Sequence, residues 1–156
     1  MTQSVEDKKV KVAVGCDSNA TDLKEIIIDQ LENMGYLVED FSSEDPVYAK
    51  IAYAVGEAVA ANEFDRGILI CGTGIGMCIA ANKVPGVYAA LCADAYSAER
   101  AIKSNNTNVL AIGAFTTGTE IAKQIVKIWM ESKWETGTAS EPKVAYFVEY
   151  AKKHQI

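Results

Sequence analysis

Five short apolar segments alternate with helical patterns along the chain, and this alternation limits the folds that the chain can adopt. The segments are VKVAVGCD (10–17), LVEDF (37–41), RGILIC (66–71), VYAALC (87–92) and NVLAIG (108–113). Strands too apolar to show a polar face are typical of parallel sheets that helices cover on both sides. We therefore predict an α/β fold, a three-layer α/β/α sandwich with a Rossmann-like, parallel five-stranded sheet.

The segments between the strands carry apolar residues at helical intervals. Two of them have an apolar side that we predict to face the sheet. Its members are Leu23, Ile26, Ile27 and Leu31 in segment 20–36, and Ile121, Ile125, Ile128 and Trp129 in segment 118–134.

Length, composition and charge restrict the class of protein. The chain has 156 residues, of which 49% are hydrophobic, so it can bury one sizeable core. Its net charge of -6, with Lys and Arg spread among acids, argues against a nucleic-acid partner. It has no apolar run long enough to span a bilayer, and the N-terminal MTQSVEDKKVKVAVG lacks the apolar stretch of a signal peptide. We expect a cytoplasmic protein that has no membrane partner.

The cysteines and the histidine argue against a metal site. Cys16, Cys71, Cys78 and Cys92 lack the paired spacing of metal knuckles, and His154 is the only histidine of the chain. We expect reduced thiols and no bound metal.

The C-terminal segment differs from the rest of the sequence. It begins in small polar residues and continues as an amphipathic stretch that carries Val144, Phe147, Val148 and Tyr150. A segment attached so loosely to one core is suited to packing on a second subunit. We therefore expect one domain over residues 1–135, followed by a C-terminal extension (136–156) that packs on the partner subunit.

Sheets of this class bind their ligands beyond the carboxyl ends of the strands, where loops meet the N-termini of helices. Five loops are predicted to lie at this edge. They are residues 16–20, 41–46, 71–76, 92–95 and 113–117.

One of these loops combines a thiol with glycines. Cys71 ends a predicted strand, and Gly72, Gly74 and Gly76 lead into a helix. Glycines permit close approach, so such a loop can present several backbone N–H groups to an anion, and a thiol beside them is favoured as thiolate. The thiolate could act as a nucleophile or as a general base, and proton transfer fits better because no histidine outside the tail could assist hydrolysis. Alternatively, Cys71 is a small buried hydrophobe and the glycines serve tight packing.

A long stretch of the sequence resembles a known family. GILICGTGIGMCIAANKVPGVYAALCADAYSAERAIKSNNTNVLAIGA is similar to the ribose-5-phosphate isomerase B and galactose-6-phosphate isomerase family, and VAVGCD near the N-terminus matches it too. The resemblance covers roughly residues 10 to 135. It implies that residues 1–135 form a cofactor-free aldose–ketose isomerase domain for a small sugar phosphate. It also implies a homodimer, or a tetramer, with sites built from two subunits.

The resemblance also implies roles for individual residues. Cys71 would move a proton between C1 and C2 of the sugar through an enediolate, and Thr73 with the N–H groups of the glycine loop would hold the developing oxyanion. The predicted substrate-binding residues are Asp17, Ser18, Gly72, Gly74, Gly76, Asn105 from the neighbouring chain, Ser140 and Lys143.

The sequence departs from the family pattern at four places. Ser18 and Ala93 stand where the family has histidines, and the second of those histidines opens the sugar ring. Phe115 stands where the family has an arginine, and residues 136–140 replace a Gly-Gly-Arg-His motif. The arginines that hold the sugar phosphate in the family are therefore absent from these positions.

The sequence is compatible with three interpretations of the function. The first is an isomerase of a shorter or acyclic sugar phosphate such as a four-carbon ketose phosphate, with Ser140 and Lys143 as substitute phosphate contacts. The second is a ribose-5-phosphate isomerase with rearranged contacts. The third is a non-catalytic member or heteromer subunit that binds a sugar or a partner chain, against which the intact Cys71 and Thr73 count.

Overall fold

The computed structural model describes residues 9–156, and in it five strands alternate with helices. The strands are β1 (Lys11–Cys16), β2 (Leu37–Asp40), β3 (Arg66–Cys71), β4 (Ala89–Leu91) and β5 (Val109–Gly113). The helices are α1 (Thr21–Asn33), α2 (Tyr48–Ala60), α3 (Ile75–Ala81), α4 (Ala95–Lys103), α5 (Thr119–Glu131) and α6 (Glu141–His154). None of the helices in this part of the chain combines the length and apolarity that crossing a membrane requires.

The strands form one parallel sheet in the order β2-β1-β3-β5-β4. In this order β2 lies on one side of β1, and β3, β5 and β4 lie on the other side. The direction in which the chain adds strands therefore reverses between β1 and β3. Such a reversal leaves a crevice between the carboxyl ends of β1 and β3, where sheets of this class bind ligands. Cys16 pairs with Ile70 in the register of these two strands, so the ends of β1 and β3 are adjacent.

The two faces of the sheet carry separate cores, because side chains alternate along each strand. Ile68 and Ile70 of β3 belong to the core under α1, α4 and α5. Leu69 and Cys71 belong to the core under α2 and α3. The predicted three-layer α/β/α sandwich with a parallel five-stranded sheet is confirmed.

The predicted apolar helix sides are partly correct. Leu23, Ile27, Leu31, Ile125 and Trp129 are buried, whereas Ile26 and Ile121 are exposed. Ile26 precedes Ile27 by one position, about 100° around the helix. That rotation turns the side chain away from the sheet and towards solvent.

A buried lysine joins α1 to the edge strand β2. The Nζ of Lys24 lies 2.7 Å from Oδ2 of Asp40 and 2.8 Å from Oε1 of Glu25. Burial opposes the charge on Lys24, but its hydrogen bonds with the two carboxylates raise the pKa of the ammonium group above its ordinary value. The ion pair between Lys24 and Asp40 links β2, the most exposed strand of the sheet, to α1, the helix that precedes it.

The amphipathic C-terminal segment is α6. Contacts within its own chain bury Val144, and the ring of Phe147 lies 5.3 Å from that of Tyr88. Tyr146 and Tyr150 remain exposed. The packing of residues 136–156 on a partner subunit stays a prediction.

A buried tryptophan joins the end of α5 to the loop before β5. The indole N–H of Trp129 donates to Oγ1 of Thr107 at 3.1 Å, and both residues are buried. The guanidinium of Arg66 lies 4.9 Å from the indole ring and donates to the carbonyls of Trp129, Met130 and Ser132. These bonds satisfy carbonyls that the end of a helix leaves without partners.

We predict that Thr107→Val lowers the free energy of unfolding by about 1–3 kcal/mol, because the indole N–H of Trp129 is left buried without an acceptor. Thr117→Val is the matched control, since Oγ1 of Thr117 is buried and has no hydrogen-bond partner. It should be neutral or slightly stabilising. Urea denaturation of both variants measures the difference, and an equal loss in the two would contradict the role given to the hydrogen bond.

Candidate active site

The thiol of Cys71 lies at the crevice between the carboxyl ends of β1 and β3. Cys71 is the last residue of β3 and is 5% exposed. Asp17 follows β1, and its N–H donates to the carbonyl of Ile70 at 3.3 Å. The fold therefore places Asp17 next to Cys71, as the strand pattern predicted.

The sulfur of Cys71 accepts a main-chain hydrogen bond. The N–H of Gly74 donates to Sγ of Cys71 at 3.1 Å. A donor at this distance stabilises a negative charge on sulfur more than it stabilises the neutral thiol. Burial raises the pKa of the thiols of Cys16 and Cys78, and it raises the pKa of Cys92 to about 12.

The loop after β3 also offers donors that the fold leaves unused. The N–H groups of Gly72 and Thr73 donate to no acceptor within residues 9–156. The hydroxyl of Thr73 accepts from the N–H of Ile75 at 3.3 Å, and its own hydrogen remains free to donate to a ligand. A thiol and several donors directed at an oxyanion are the parts that proton transfer next to a carbonyl requires.

Glycines are needed at this loop for close approach. Gly74 has a φ of 76°, and an added Cβ would lie 2.9 Å from the carbonyl carbon of Ile112. At Gly113, opposite Cys71 in β5, an added Cβ would lie 2.7 Å from the main-chain carbonyl of Thr73. The glycines thus serve tight packing, as the alternative interpretation held. The same packing brings the N–H of Gly74 to the thiol.

Two aromatic rings border the loop, and the sequence did not identify them as neighbours of the thiol. The Tyr48 ring lies so close to Gly76 that a Cβ there would be 2.6 Å from the phenol oxygen. The Phe115 ring covers Gly72, with atoms 3.1 Å from an added Cβ. A glycine inside a helix, such as Gly76, was the available signal, because it indicates close approach of another group.

Asp17 and Ser18 lie in a tight turn between β1 and α1. The carboxylate of Asp17 accepts from the backbone N–H of Asn19 at 3.0 Å and from its side-chain amide at 3.4 Å. Ser18 is exposed and lines a cavity of about 290 Å³ that Phe115 closes on its other side. Ser18 and Phe115 therefore line the same cavity, and the Phe115 ring also lies over Gly72 of the loop after β3.

The remaining predicted site residues lie at the other edge of the sheet. Asn105 follows α4 and precedes β5, whose four residue steps place it more than about 13 Å from the edge that carries Cys71. Ser140 precedes α6 and shares a cavity with Ser104, next to Asn105, and Lys143 lies in the first turn of α6. One chain therefore does not bring Asn105, Ser140 and Lys143 together with Cys71.

The described residues offer no group of three or more His, Cys, Asp or Glu side chains suited to a metal ion.

The comparisons with known proteins agree on one family. The family described as Ribose/Galactose Isomerase has a sequence model that matches residues 12–146. D-erythrulose-4-phosphate isomerase of Pectobacterium atrosepticum is 47% identical over 152 residues, which cover 94% of this chain and 99% of that protein. Ribose-5-phosphate isomerase B of Escherichia coli is 45% identical over 130 residues, 81% of this chain and 87% of that protein.

A solved structure shows the same fold. Ribose-5-phosphate isomerase B of Clostridium thermocellum superposes with a TM-score of 0.87 at 38% identity, over 93% of this chain and 99% of that one. Fold, motif and sequence similarity extend over nearly the whole chain. The chain therefore belongs to the ribose/galactose isomerase family of sugar-phosphate isomerases.

Proposed function

We propose that this protein is an aldose–ketose isomerase of a small sugar phosphate, with Cys71 as the base. The observation that carries the proposal is the hydrogen bond from the N–H of Gly74 to Sγ of Cys71, which prepares the sulfur for negative charge. Membership of a family of sugar-phosphate isomerases supports it.

The geometry of the loop supports the following reaction. The thiolate of Cys71 removes the proton from the carbon next to the substrate carbonyl, and the electron pair moves to the carbonyl oxygen to form an enediolate. The hydroxyl of Thr73 and the free N–H groups of the loop stabilise that oxygen, each by about 3 kcal/mol in comparable sites. The proton of the neighbouring hydroxyl then moves to that oxygen. The thiol returns its proton to the former carbonyl carbon while the second oxygen becomes the new carbonyl, which completes the exchange between aldose and ketose.

A nucleophilic mechanism receives less support. The only histidine of the chain, His154, lies in the last turn of α6 with its ring 4.3 Å from that of Tyr150. A cysteine that acts as a nucleophile in hydrolysis needs a partner base within hydrogen-bond distance. Cys71 instead has a main-chain donor at that distance.

We infer that the substrate is a four-carbon ketose phosphate. A four-carbon sugar with phosphate on O4 has no free hydroxyl from which to close a five-membered ring, so no acid is needed to open it. Ser18 and Ala93 stand at the positions of the family's two histidines, which is consistent with this substrate. The relative from Pectobacterium, 47% identical, is named as an isomerase of D-erythrulose 4-phosphate.

We further propose that the working site is formed by two copies of this chain. Asn105 and Cys71 lie at opposite edges of one sheet, so only a second copy can supply Asn105 to the thiol. The surface next to the thiol loop is apolar and exposed: Ile75 and Ile79 of α3 are 52% and 58% exposed, and Leu91 lies beside Gly74. Apolar surface of this kind is suited to burial between subunits.

We predict that kcat/KM for D-erythrulose 4-phosphate exceeds that for ribose 5-phosphate by about tenfold or more, because only the five-carbon sugar must open a ring before reaction. Galactose 6-phosphate, which also forms a ring, is the second comparison. The measurement is initial rates with all three compounds under one set of conditions. Preference for ribose 5-phosphate would contradict the substrate inference, and turnover of none by folded protein would favour a non-catalytic member.

We predict that Cys71→Ala lowers turnover by roughly 10²- to 10⁴-fold and abolishes deuterium exchange from solvent into the substrate, because the base is lost. Folding should remain nearly intact, since the change removes one small buried sulfur. Cys78→Ala is the control: Cys78 lies on α3 under Asn82, and its loss should affect stability more than turnover. Wild-type exchange in Cys71→Ala would show that another group is the base.

We predict that a mixture of the Cys71→Ala and Asn105→Ala variants regains activity once the two proteins have exchanged subunits. A mixed dimer has one site with neither substitution, so random pairing recovers about a quarter of wild-type sites. The measurement is turnover of the mixture against each variant alone. Mixed dimers that form without any gain in activity would contradict a site shared between chains.

A further inference from the structure

A large apolar ring is exposed at the edge of the sheet where the thiol lies. Phe115 belongs to the loop between β5 and α5, and it is 72% exposed. A ring exposed to this degree adds little to the core, because the stabilisation from an apolar side chain grows with the area that folding removes from water. Core packing therefore does not explain a phenylalanine at this position.

The main chain fixes this residue beside the thiol loop. The N–H of Phe115 donates to the carbonyl of Gly72 at 2.9 Å, and the N–H of Ala114 donates to the carbonyl of Cys71 at 2.8 Å. These two bonds continue the pairing of β3 with β5 beyond the ends of the strands. The backbone of Phe115 is therefore attached to the residues that bind the substrate carbonyl in the proposed reaction.

The ring of Phe115 borders both the thiol loop and the cavity that contains Ser18. Its Cδ2 and Cε2 atoms lie 3.1 Å from a Cβ added at Gly72, and the same residue lines the cavity of about 290 Å³. Other parts of that lining are polar and include Asn19 and Thr119. The ring thus occupies space that would otherwise join the loop to the cavity.

A ring in this place restricts the length of a substrate bound at the loop. The proposed mechanism puts the reacting carbons at Cys71 and Gly72, so the rest of the carbon chain must fit beside the ring. Each further carbon of a sugar brings a hydroxyl group, and a hydroxyl held against a phenyl ring loses hydrogen bonds to water without gaining a partner. An apolar wall of this kind discriminates against one added group by roughly tenfold to a hundredfold.

We propose that Phe115 determines the chain length of the substrate, and that its ring disfavours sugar phosphates longer than four carbons. The inference rests on the proposed isomerase function. It gives the enzyme a second cause of specificity, which is independent of the need to open a sugar ring.

The first experiment compares D-erythrulose 4-phosphate with D-ribulose 5-phosphate as substrates of the full-length protein. Neither ketose phosphate has a free hydroxyl from which to close a five-membered ring, so the two differ in chain length and not in ring opening. Wild type should have a kcat/KM about tenfold or more higher for the four-carbon compound. Phe115→Ala should bring the ratio of the two values to about one, mainly by raising kcat/KM for D-ribulose 5-phosphate.

Two further variants control this comparison. Phe115→Tyr keeps the ring and should keep the wild-type ratio. Ile121→Ala removes another exposed apolar side chain, in the first turn of α5 and outside the lining of the cavity, and should also keep the ratio. Urea denaturation should show that Phe115→Ala remains folded, because the ring is exposed. The same ratio in Phe115→Ala as in wild type, or no preference in wild type, would overturn the proposal.

The second experiment separates this inference from the proposed function. Erythritol 4-phosphate and ribitol 5-phosphate have no carbonyl group, so they bind without reacting, and calorimetry measures their affinities at constant ionic strength. Wild type should bind the four-carbon compound about tenfold more tightly, and Phe115→Ala should bind both alike. This result supports the role of Phe115 even where no sugar phosphate is turned over. No binding, equal affinities in wild type, or an unchanged preference in Phe115→Ala overturns that role, while turnover in the first experiment decides the isomerase function separately.

Discussion

The site depends on a close backbone contact between the loop after β3 and the end of β5. Gly113 lets the main chain of Thr73 approach to a distance that no larger residue permits, and Gly74 turns the loop with a positive φ. Because the loop is held there, the N–H of Gly74 reaches Sγ of Cys71, and the N–H groups of Gly72 and Thr73 meet no acceptor in the part of the chain that the structure describes. The contact that the glycines permit therefore also brings a main-chain donor to the thiol.

A parallel sheet separates the residues of the site in a predictable way. Residues that follow strands, such as Cys71 and Asp17, meet at the carboxyl edge, whereas residues that follow helices, such as Asn105, meet at the other. No adjustment within one chain can bring the two groups together without disrupting the sheet. The same separation keeps Lys143 away from the thiol of its own chain, so the hydrogen bond that the sulfur accepts comes from the main chain.

Much of this structure could be predicted from the sequence, because local patterns determine it. All five strands and the position of Cys71 at the end of β3 follow from alternation and from the glycine loop. Contacts between distant segments could not be predicted, such as Arg66 with the end of α5. The same holds for Tyr48 over Gly76 and for the cavity that Ser140 shares with Ser104, since no local pattern specifies which side chains meet there. Ile26 and Ile121 show that apolar character alone does not decide which side of a helix faces the sheet.

The main-chain donors of the loop after β3 suit a charge that exists only during a reaction. The enediolate of the proposed isomerisation is such a charge, and fixed N–H groups at Gly72 and Thr73 would act when it develops. A full positive charge at the loop would instead bind substrate and transition state alike, which improves affinity without raising the rate of the chemical step.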